Sequence, residues 1–319
     1  MPTPYTPTAP LSIVFNAASG HADAHDTSAL IARLLNEAGR RHHIQLVKKG
    51  GDIPAEARRA VAQAVAQGGA VVAAGGDGTI NAVAQAAHEA GCPLGVLPQG
   101  TFNYFSRTHR IPADTAEATR ALLSASVEPV QVGLVNERLF LVNASLGLYP
   151  DMLEDREHFK ARFGRNRVVA LGAAVATALR AHQRLRLRIQ LGDGVRNVRS
   201  SSLFLGNNRL QLQQVGLPEA RAVESGHIAA VMLKPVGPWA LLRLLMHGAL
   251  GALGNDERVE SFKFQRMTVA PWLPYGTRRV KVAADGEVSF MRTPLEFRVA
   301  PKPLYLLKPA ADATQGERS

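Results

Sequence analysis

The chain has a single cysteine, Cys92, in 319 residues, which excludes an internal disulfide and fits a reducing compartment. Its longest apolar run, VVALGAAVATAL from Val168 to Leu179, falls short of the roughly 20 residues that span a bilayer. The opening MPTPYTPTAP has neither the basic nor the apolar region of a secretory signal. Aromatic residues make up only 6% of the chain. No zinc-finger spacing, recognition-helix motif or aromatic-rich RNA signature accompanies its basic residues, so nucleic acid is not an expected partner. These absences predict a soluble cytoplasmic protein.

What is present is an apolar content of 46% and a net charge of +11, enough to bury a sizeable core in two domains. The charge is unevenly spread. Residues 1–131 carry 10 Lys and Arg against 10 Asp and Glu, and the remainder carries 27 against 16. A basic second half suits anionic lipid or a phosphorylated substrate, although an ordinary solvated surface would look the same.

The first half alternates strand and helix patterns. LSIVFN, HIQLVKK, GAVVAAGG and CPLGVLPQG read as buried strands. DTSALIARLLNEAG reads as a helix with Asp26 or Thr27 as its cap, IPAEARRAVAQAVAQGG as a helix started by Pro54, and a third helix follows from Thr79. Such alternation predicts an open parallel α/β sheet over residues 1–131. Ligands on these sheets sit beyond the carboxyl ends of the strands, where NAASG, GGDGT and PQGTFN lie. From residue 132 to 310 the rhythm becomes two-residue alternation with short turns, as in RLRLRIQLGDGVRNVRSSSLFLGN. This predicts an antiparallel β-sandwich-like domain with helical inserts around 154–182 and 238–253. Its last strand is free to return to the first domain, and 311–319 reads as a frayed tail.

GGDGT lacks the lysine of the phosphate loop G-x-x-x-x-G-K-[ST] and the spacing of the dinucleotide-binding G-x-G-x-x-G. Its glycines nevertheless let backbone N–H groups approach an anion, and Thr79 is placed to cap a helix whose dipole favours one. Asp77 runs against this, because a carboxylate beside phosphate oxygens costs energy unless a cation or a proton intervenes. Bridging Mg²⁺, or uptake of a proton from an attacking hydroxyl, resolves the conflict and implies phosphoryl transfer. A plain glycine turn with Asp as turn former is the structural alternative.

GGDGTIN (Gly75–Asn81) followed by GVLPQGTFNYFSR (Gly95–Arg107) resembles the diacylglycerol kinase catalytic domain family, which includes soluble bacterial lipid kinases, sphingosine kinases and ceramide kinase. NAASG at Asn16–Gly20 is similar to its N-P-x-S-G, and ADGE at Ala284–Glu287 to its late D-G-E. The resemblance implies ATP and Mg²⁺ as cofactors. It implies that Gly75, Gly76, Asp77, Gly78, Thr79, Ile80 and Asn81 line the phosphates, Asn16 and Ser19 flank the nucleotide, and Gly100, Thr101 and Asn103 close the opposite wall. A strand ending in D-G-E would project Asp285 and Glu287 to one face. The bacterial branch is assigned that Glu as proton acceptor, whereas sphingosine kinases are assigned the loop aspartate. Glu287 is therefore the expected base, with Asp285 and Asp77 handling metal and phosphate.

Four positions depart from the family pattern. Tyr104 stands where Asp is common, Ala82 where Glu would complete a capping box, and Val47 where a nucleotide-contacting Thr is usual. Ser225–Gly226 stands where several bacterial members place the Asp-Gly of a structural magnesium loop, so no such site is expected. The acceptor implied is diacylglycerol or a related lipid at the membrane surface. Nine Lys and Arg within 151–190 and the apolar stretch 237–253 suit peripheral membrane contact. Homodimerisation is left open. The rival functions are an NAD kinase-like phosphotransferase and a non-catalytic lipid- or nucleotide-binding protein.

Overall fold

A computed structural model describes residues 5–6, 8–18, 24–147, 185–237, 240, 243–244, 254, 256–274 and 277–309. The expected helical inserts, most of the basic 151–190 segment and Ser19 lie outside the described residues. Two compact units emerge: one of residues up to Val132 and from Pro301 onward, the other from Gly133 to Ala300.

In the first unit, β1 (Leu11–Asn16), β2 (His42–Val47), β3 (Ala70–Gly75) and β4 (Leu94–Pro98) alternate with α1 (Ala24–Glu37), α2 (Ile53–Ala66) and α3 (Asp77–Ala90). Two short helices, α4 (Tyr104–Thr108) and α5 (Thr115–Leu123), then lead to β5 (Ser126–Val130). The sheet order is β2-β1-β3-β4, then β18 (Leu304–Lys308), then β5. β18 runs parallel to β4, and β5 runs antiparallel to β18. The sheet is therefore mixed rather than wholly parallel, because the chain's last strand enters it beside an edge strand. β3 and β4 are buried along their whole length, as continuous apolar runs covered on both faces should be.

α1 begins at Ala24, so Asp26 and Thr27 lie inside its first turn and neither is its cap. Pro54 stands in the first turn of α2, where a missing N–H costs nothing. Ile80, Val83, Ala84 and Ala87 form the fully buried stripe of α3.

The second unit packs two six-stranded sheets face to face. One is β10 (Gly194–Ser200), β9 (Leu185–Leu191), β14 (Arg266–Pro271), β17 (Leu295–Val299), β6 (Gly133–Val135) and β7 (Arg138–Phe140), in that order. The other is β13 (Val259–Phe264), β12 (Ile228–Leu233), β11 (Ser202–Gly206), β8 (Asn143–Gly147), β15 (Arg279–Ala284) and β16 (Glu287–Arg292). Alternate residues of both sheets meet in one core that includes Phe140, Leu146, Leu187, Ile189, Leu205, Met267, Val282 and Phe297. Gly133 has no side chain because the ring of Phe140, fully buried, occupies the space a Cβ would need. A smaller apolar cluster joins α6 (Arg209–Gln214) to the outer face of β12 through Leu212, Leu217, Ala229 and Val231.

Candidate active site

Two glycine-bearing turns at the carboxyl end of the first sheet build one part of the candidate site. β3 ends at Gly75, Gly76 is the N-cap of α3, and the helix starts at Asp77. A Cβ on Gly75 would sit 2.6 Å from the Thr79 hydroxyl, and one on Gly100 would sit 2.8 Å from Asn103 Oδ1 and 3.2 Å from Gly76 Cα. These glycines let the loops close on one another. At Gly76 the nearest atom to such a Cβ is 3.9 Å away, leaving the backbone open to a ligand. The first-turn N–H groups of a helix have no intrahelical acceptor, and no side-chain cap serves α3. This is the arrangement that takes an anion.

Thr79 lies inside α3 and does not cap it. Its hydroxyl accepts a hydrogen bond from Asn16 Nδ2 at 3.0 Å, which ties the end of β1 to the loop. Ile80 is fully buried and Asn81 nearly so, and the Ile80 N–H donates to Gly76 O at 3.0 Å, so the free N–H groups of the turn are those before it. Gly78 completes the first turn, and Thr101 is exposed. Asn103 adopts a left-handed conformation with φ of 46° and donates from Nδ2 to Gly100 O at 2.8 Å. Asn and Asp tolerate that region better than other non-glycine residues.

Asp77 accepts a hydrogen bond from the Asn103 backbone N–H, yet burial still raises its carboxyl above the ordinary carboxylate range. Its Oδ1 and the Oδ1 of Asn103 are both buried without a hydrogen-bond donor. Two orphaned acceptor oxygens at a helix N-terminus are costly. They call for a cation or a donor supplied from outside the chain.

The late D-G-E has a different geometry from the one expected. Asp285 and Gly286 have φ of 47° and 86° and form the two-residue loop joining β15 to β16. They are therefore turn residues, and only Glu287 belongs to a strand. The Asp285 carboxylate accepts three consecutive backbone N–H bonds: Leu141 at 2.7 Å, Val142 at 2.8 Å and Asn143 at 3.0 Å. Its own N–H returns a bond to Asn143 O at 2.9 Å. Glu287 is exposed, and its Oε2 accepts from Arg138 Nη2 at 2.7 Å, while Arg138 Nη1 donates to Ser289 Oγ at 2.9 Å.

These environments decide what each acid can hold. A single carboxylate oxygen together with substrate phosphates is a common Mg²⁺ environment, and the orphaned Oδ1 of Asp77 fits it. Asp285 is the poorer metal candidate, because three backbone N–H groups already occupy both of its oxygens. Among the described residues, no group of three or more His, Cys, Asp or Glu is placed to hold an ion. At the Ser225–Gly226 departure, Ser225 Oγ donates to Ala222 O at 2.9 Å and Gly226 O accepts from Gln265 Nε2 at 3.3 Å.

Two features escaped the sequence reading. Arg138 carries no motif, and only the packing of the two sheets, β7 at the end of one and β16 at the end of the other, brings it to Glu287. Phe102 and Tyr104 stack in parallel planes 2° apart with centroids at 6.1 Å, on the loop that carries Asn103. The aromatic-rich FNYF was a visible signal for that pair.

The diacylglycerol kinase catalytic domain model matches residues 10–135. A protein of Pseudomonas aeruginosa strain UCBPP-PA14 described as "Probable lipid kinase YegS-like" is 33% identical over 285 residues, covering 86% of this chain and 87% of its own. A diacylglycerol kinase of Staphylococcus saprophyticus is 32% identical over 137 residues, covering 42% and 44%. Two crystal structures from Bacillus anthracis str. Sterne share the fold. One has a TM-score of 0.72 at 21% identity, covering 95% of this chain and 98% of that one. The other, titled a diacylglycerol kinase, has a TM-score of 0.67 at 19% identity with the same coverage. By similarity over most of its length, by its matched catalytic domain and by its fold, the chain belongs to the YegS-like and diacylglycerol kinase family of lipid kinases.

Proposed function

We propose that the protein is an ATP-dependent kinase that transfers the γ-phosphate to a hydroxyl of diacylglycerol or a related lipid at a membrane surface. The observation that carries this reading is Asp77, a carboxylate with a buried oxygen lacking a partner, set in a glycine turn otherwise built for phosphate. A passive nucleotide site gains nothing from that charge, whereas phosphoryl transfer uses it.

In this reading the first turn of α3 binds phosphate oxygens through its N–H groups, and Gly76 and Gly100 permit the approach. Asn16 holds Thr79, and Asn103 holds the facing loop against Asp77 through its N–H. Asp77 Oδ1 would hold Mg²⁺, which when bound neutralises charge building up between the β- and γ-phosphates. Glu287 accepts the proton of the attacking hydroxyl, and Arg138 fixes its orientation. Asp285 takes no part in proton or metal chemistry; it fixes the hairpin on which Glu287 stands.

The test is to offer the purified protein labelled ATP and Mg²⁺ with a panel of lipid alcohols in mixed micelles, and NAD separately. Label in a phosphorylated lipid supports the reading. Label only in NAD, or in no acceptor while lipid still binds, refutes it.

A further inference from the structure

The outer face of β9, β10 and β14 carries positive charge and an exposed indole without acids to match. Along β9, Arg186, Arg188 and Gln190 are exposed and alternate with buried Leu187 and Ile189. Register places Arg199 of β10 directly opposite Arg186, Asn197 opposite Arg188 and Val195 opposite Gln190. On the other side, Trp272 continues the line of β14, and its backbone N–H donates to Arg186 O at 2.8 Å. Its side chain is 69% exposed, the highest value among the large hydrophobic residues described. Val195, beside the β9–β10 turn, is 47% exposed.

Among the described residues, Arg186, Arg188 and Arg199 have no ion-pair partner, while other arginines of the same sandwich do. Arg196 pairs with Glu260 across the opposite face, and Arg266 and Arg298 share Glu296. Asp193 in the β9–β10 turn is the acid nearest in sequence to this face. Like charges directly opposite on neighbouring strands destabilise a sheet, so the Arg186–Arg199 pair carries a folding cost that salt screens in part and that a bound anion would relieve. Charges on an edge strand also deter strand pairing with other molecules, but that purpose needs neither arginines on the inner strand β9 nor a bare indole on β14.

We propose that this face docks on an anionic phospholipid bilayer, with Arg186, Arg188 and Arg199 against headgroup phosphates and Trp272 in the interfacial layer. Guanidinium groups pair with phosphate in two-point geometry, and an amphipathic indole favours the depth where headgroups meet acyl chains. An aromatic set for stacking bases would need several rings in succession, and this face has one. The inference deepens the lipid kinase reading by naming the surface that brings the protein to its substrate.

The experiment is co-sedimentation with phosphatidylcholine vesicles and with vesicles of 70% phosphatidylcholine and 30% phosphatidylglycerol, at fixed ionic strength. The wild type is expected to bind the anionic vesicles and hardly the neutral ones. A basic residue near an anionic surface contributes about five-fold to partitioning. The triple change Arg186→Ser, Arg188→Ser, Arg199→Ser should therefore weaken binding on the order of 100-fold, with unfolding temperature unchanged or raised. Trp272→Ala should weaken binding further without lowering that temperature. Undiminished binding by the triple variant, or equal binding to neutral vesicles, overturns the proposal. So does an arginine-dependent complex with single-stranded DNA in a protein that ignores anionic vesicles. Arginine-dependent vesicle binding by a protein that phosphorylates no lipid would support the surface and refute the kinase reading alone.

Discussion

Replacing Asp285 separates an anchoring carboxylate from a metal-binding one. In Asp285→Asn the single carbonyl oxygen can still accept two of the three N–H groups at 141–143, and the left-handed φ of 47° remains tolerable. The third amide then faces an NH₂ group and the charge assistance is gone, a loss of about 2–3 kcal/mol. Asp285→Ala removes all three bonds. Three charge-assisted bonds at about 1.5–3 kcal/mol each set the ceiling, and the partly exposed position lets water replace some of them, so about 4 kcal/mol is expected. A further ~1 kcal/mol comes from forcing alanine into the left-handed region. Asp285→Gly keeps the first loss and escapes the second, so it should be about 1 kcal/mol more stable than the alanine variant. Against a total of roughly 5–15 kcal/mol, these effects shift a urea midpoint measurably. Hydrogen exchange at Leu141, Val142 and Asn143 should accelerate in the same order. A wild-type midpoint in Asp285→Asn, with only the Mg²⁺ dependence of turnover altered, would refute the anchoring role.

Glu287→Gln should lower turnover by about 10²–10⁴-fold while ATP binding stays intact; parallel loss of ATP binding in a filter assay would move Glu287 into the nucleotide site. Asp77→Asn should abolish transfer yet leave the protein as stable or more so at neutral pH. Burial raises the Asp77 carboxyl, so the folded state holds a proton that the unfolded chain has released, and stability falls as pH rises through that window. A drop in the pH 7 urea midpoint of Asp77→Asn would contradict this. His109, partly buried beside Phe105 and facing Lys308 and Glu128, has its pKa pushed down to about 4 by desolvation and then by Lys308, against an opposing pull from Glu128. The unfolded chain binds that proton near pH 6.5, so the native state loses up to about 3 kcal/mol as pH falls from 6.5 to 4. Urea midpoints across that range should fall more steeply for the wild type than for His109→Gln, and parallel curves would exclude the effect.

The strand-helix alternation was legible because apolar runs and 3.6-residue stripes are set by burial, and burial is the largest favourable contribution to folding. Helix ends were less legible. Thr79 looked like a cap because capping residues are recognised by type, but Gly76 already supplies an extended backbone, and Asn16 across the sheet holds the Thr79 hydroxyl. The mixed character of the first sheet was hidden for a similar reason. β5 is mostly exposed, contains Pro129 and pairs with a strand nearly 180 residues later, so no local pattern marks it. The Asp-Gly pair in ADGE was a readable turn signal. Treating it as the end of a strand placed the two acids on one face and made them partners. Arg138 was invisible altogether, since a contact between two different sheets spanning 149 residues leaves no spacing to count.

The two aspartates of the family motifs are distinguished by their donors. Asp285 has three backbone N–H groups on its oxygens and supplies its own N–H in return. The segment it grips is satisfied on its other side as well, because Asn207 donates to the carbonyls of Leu141 and Val142. The backbone groups of that junction are thus paired, which fixes the hairpin carrying Glu287, and the buried Asn143 Oδ1 is the one acceptor there without a donor. Asp77 has one backbone donor, a buried oxygen with none, and a carboxyl whose proton affinity burial has raised. An acid kept in that condition destabilises the protein until a cation or donor arrives, and a site that must bind, turn over and release benefits from an incomplete shell. Identical side chains in similar Asp-Gly contexts thus divide, by counting hydrogen-bond donors, into one whose oxygens are occupied by the backbone and one with an oxygen left open. The sequence motifs alone treat them alike.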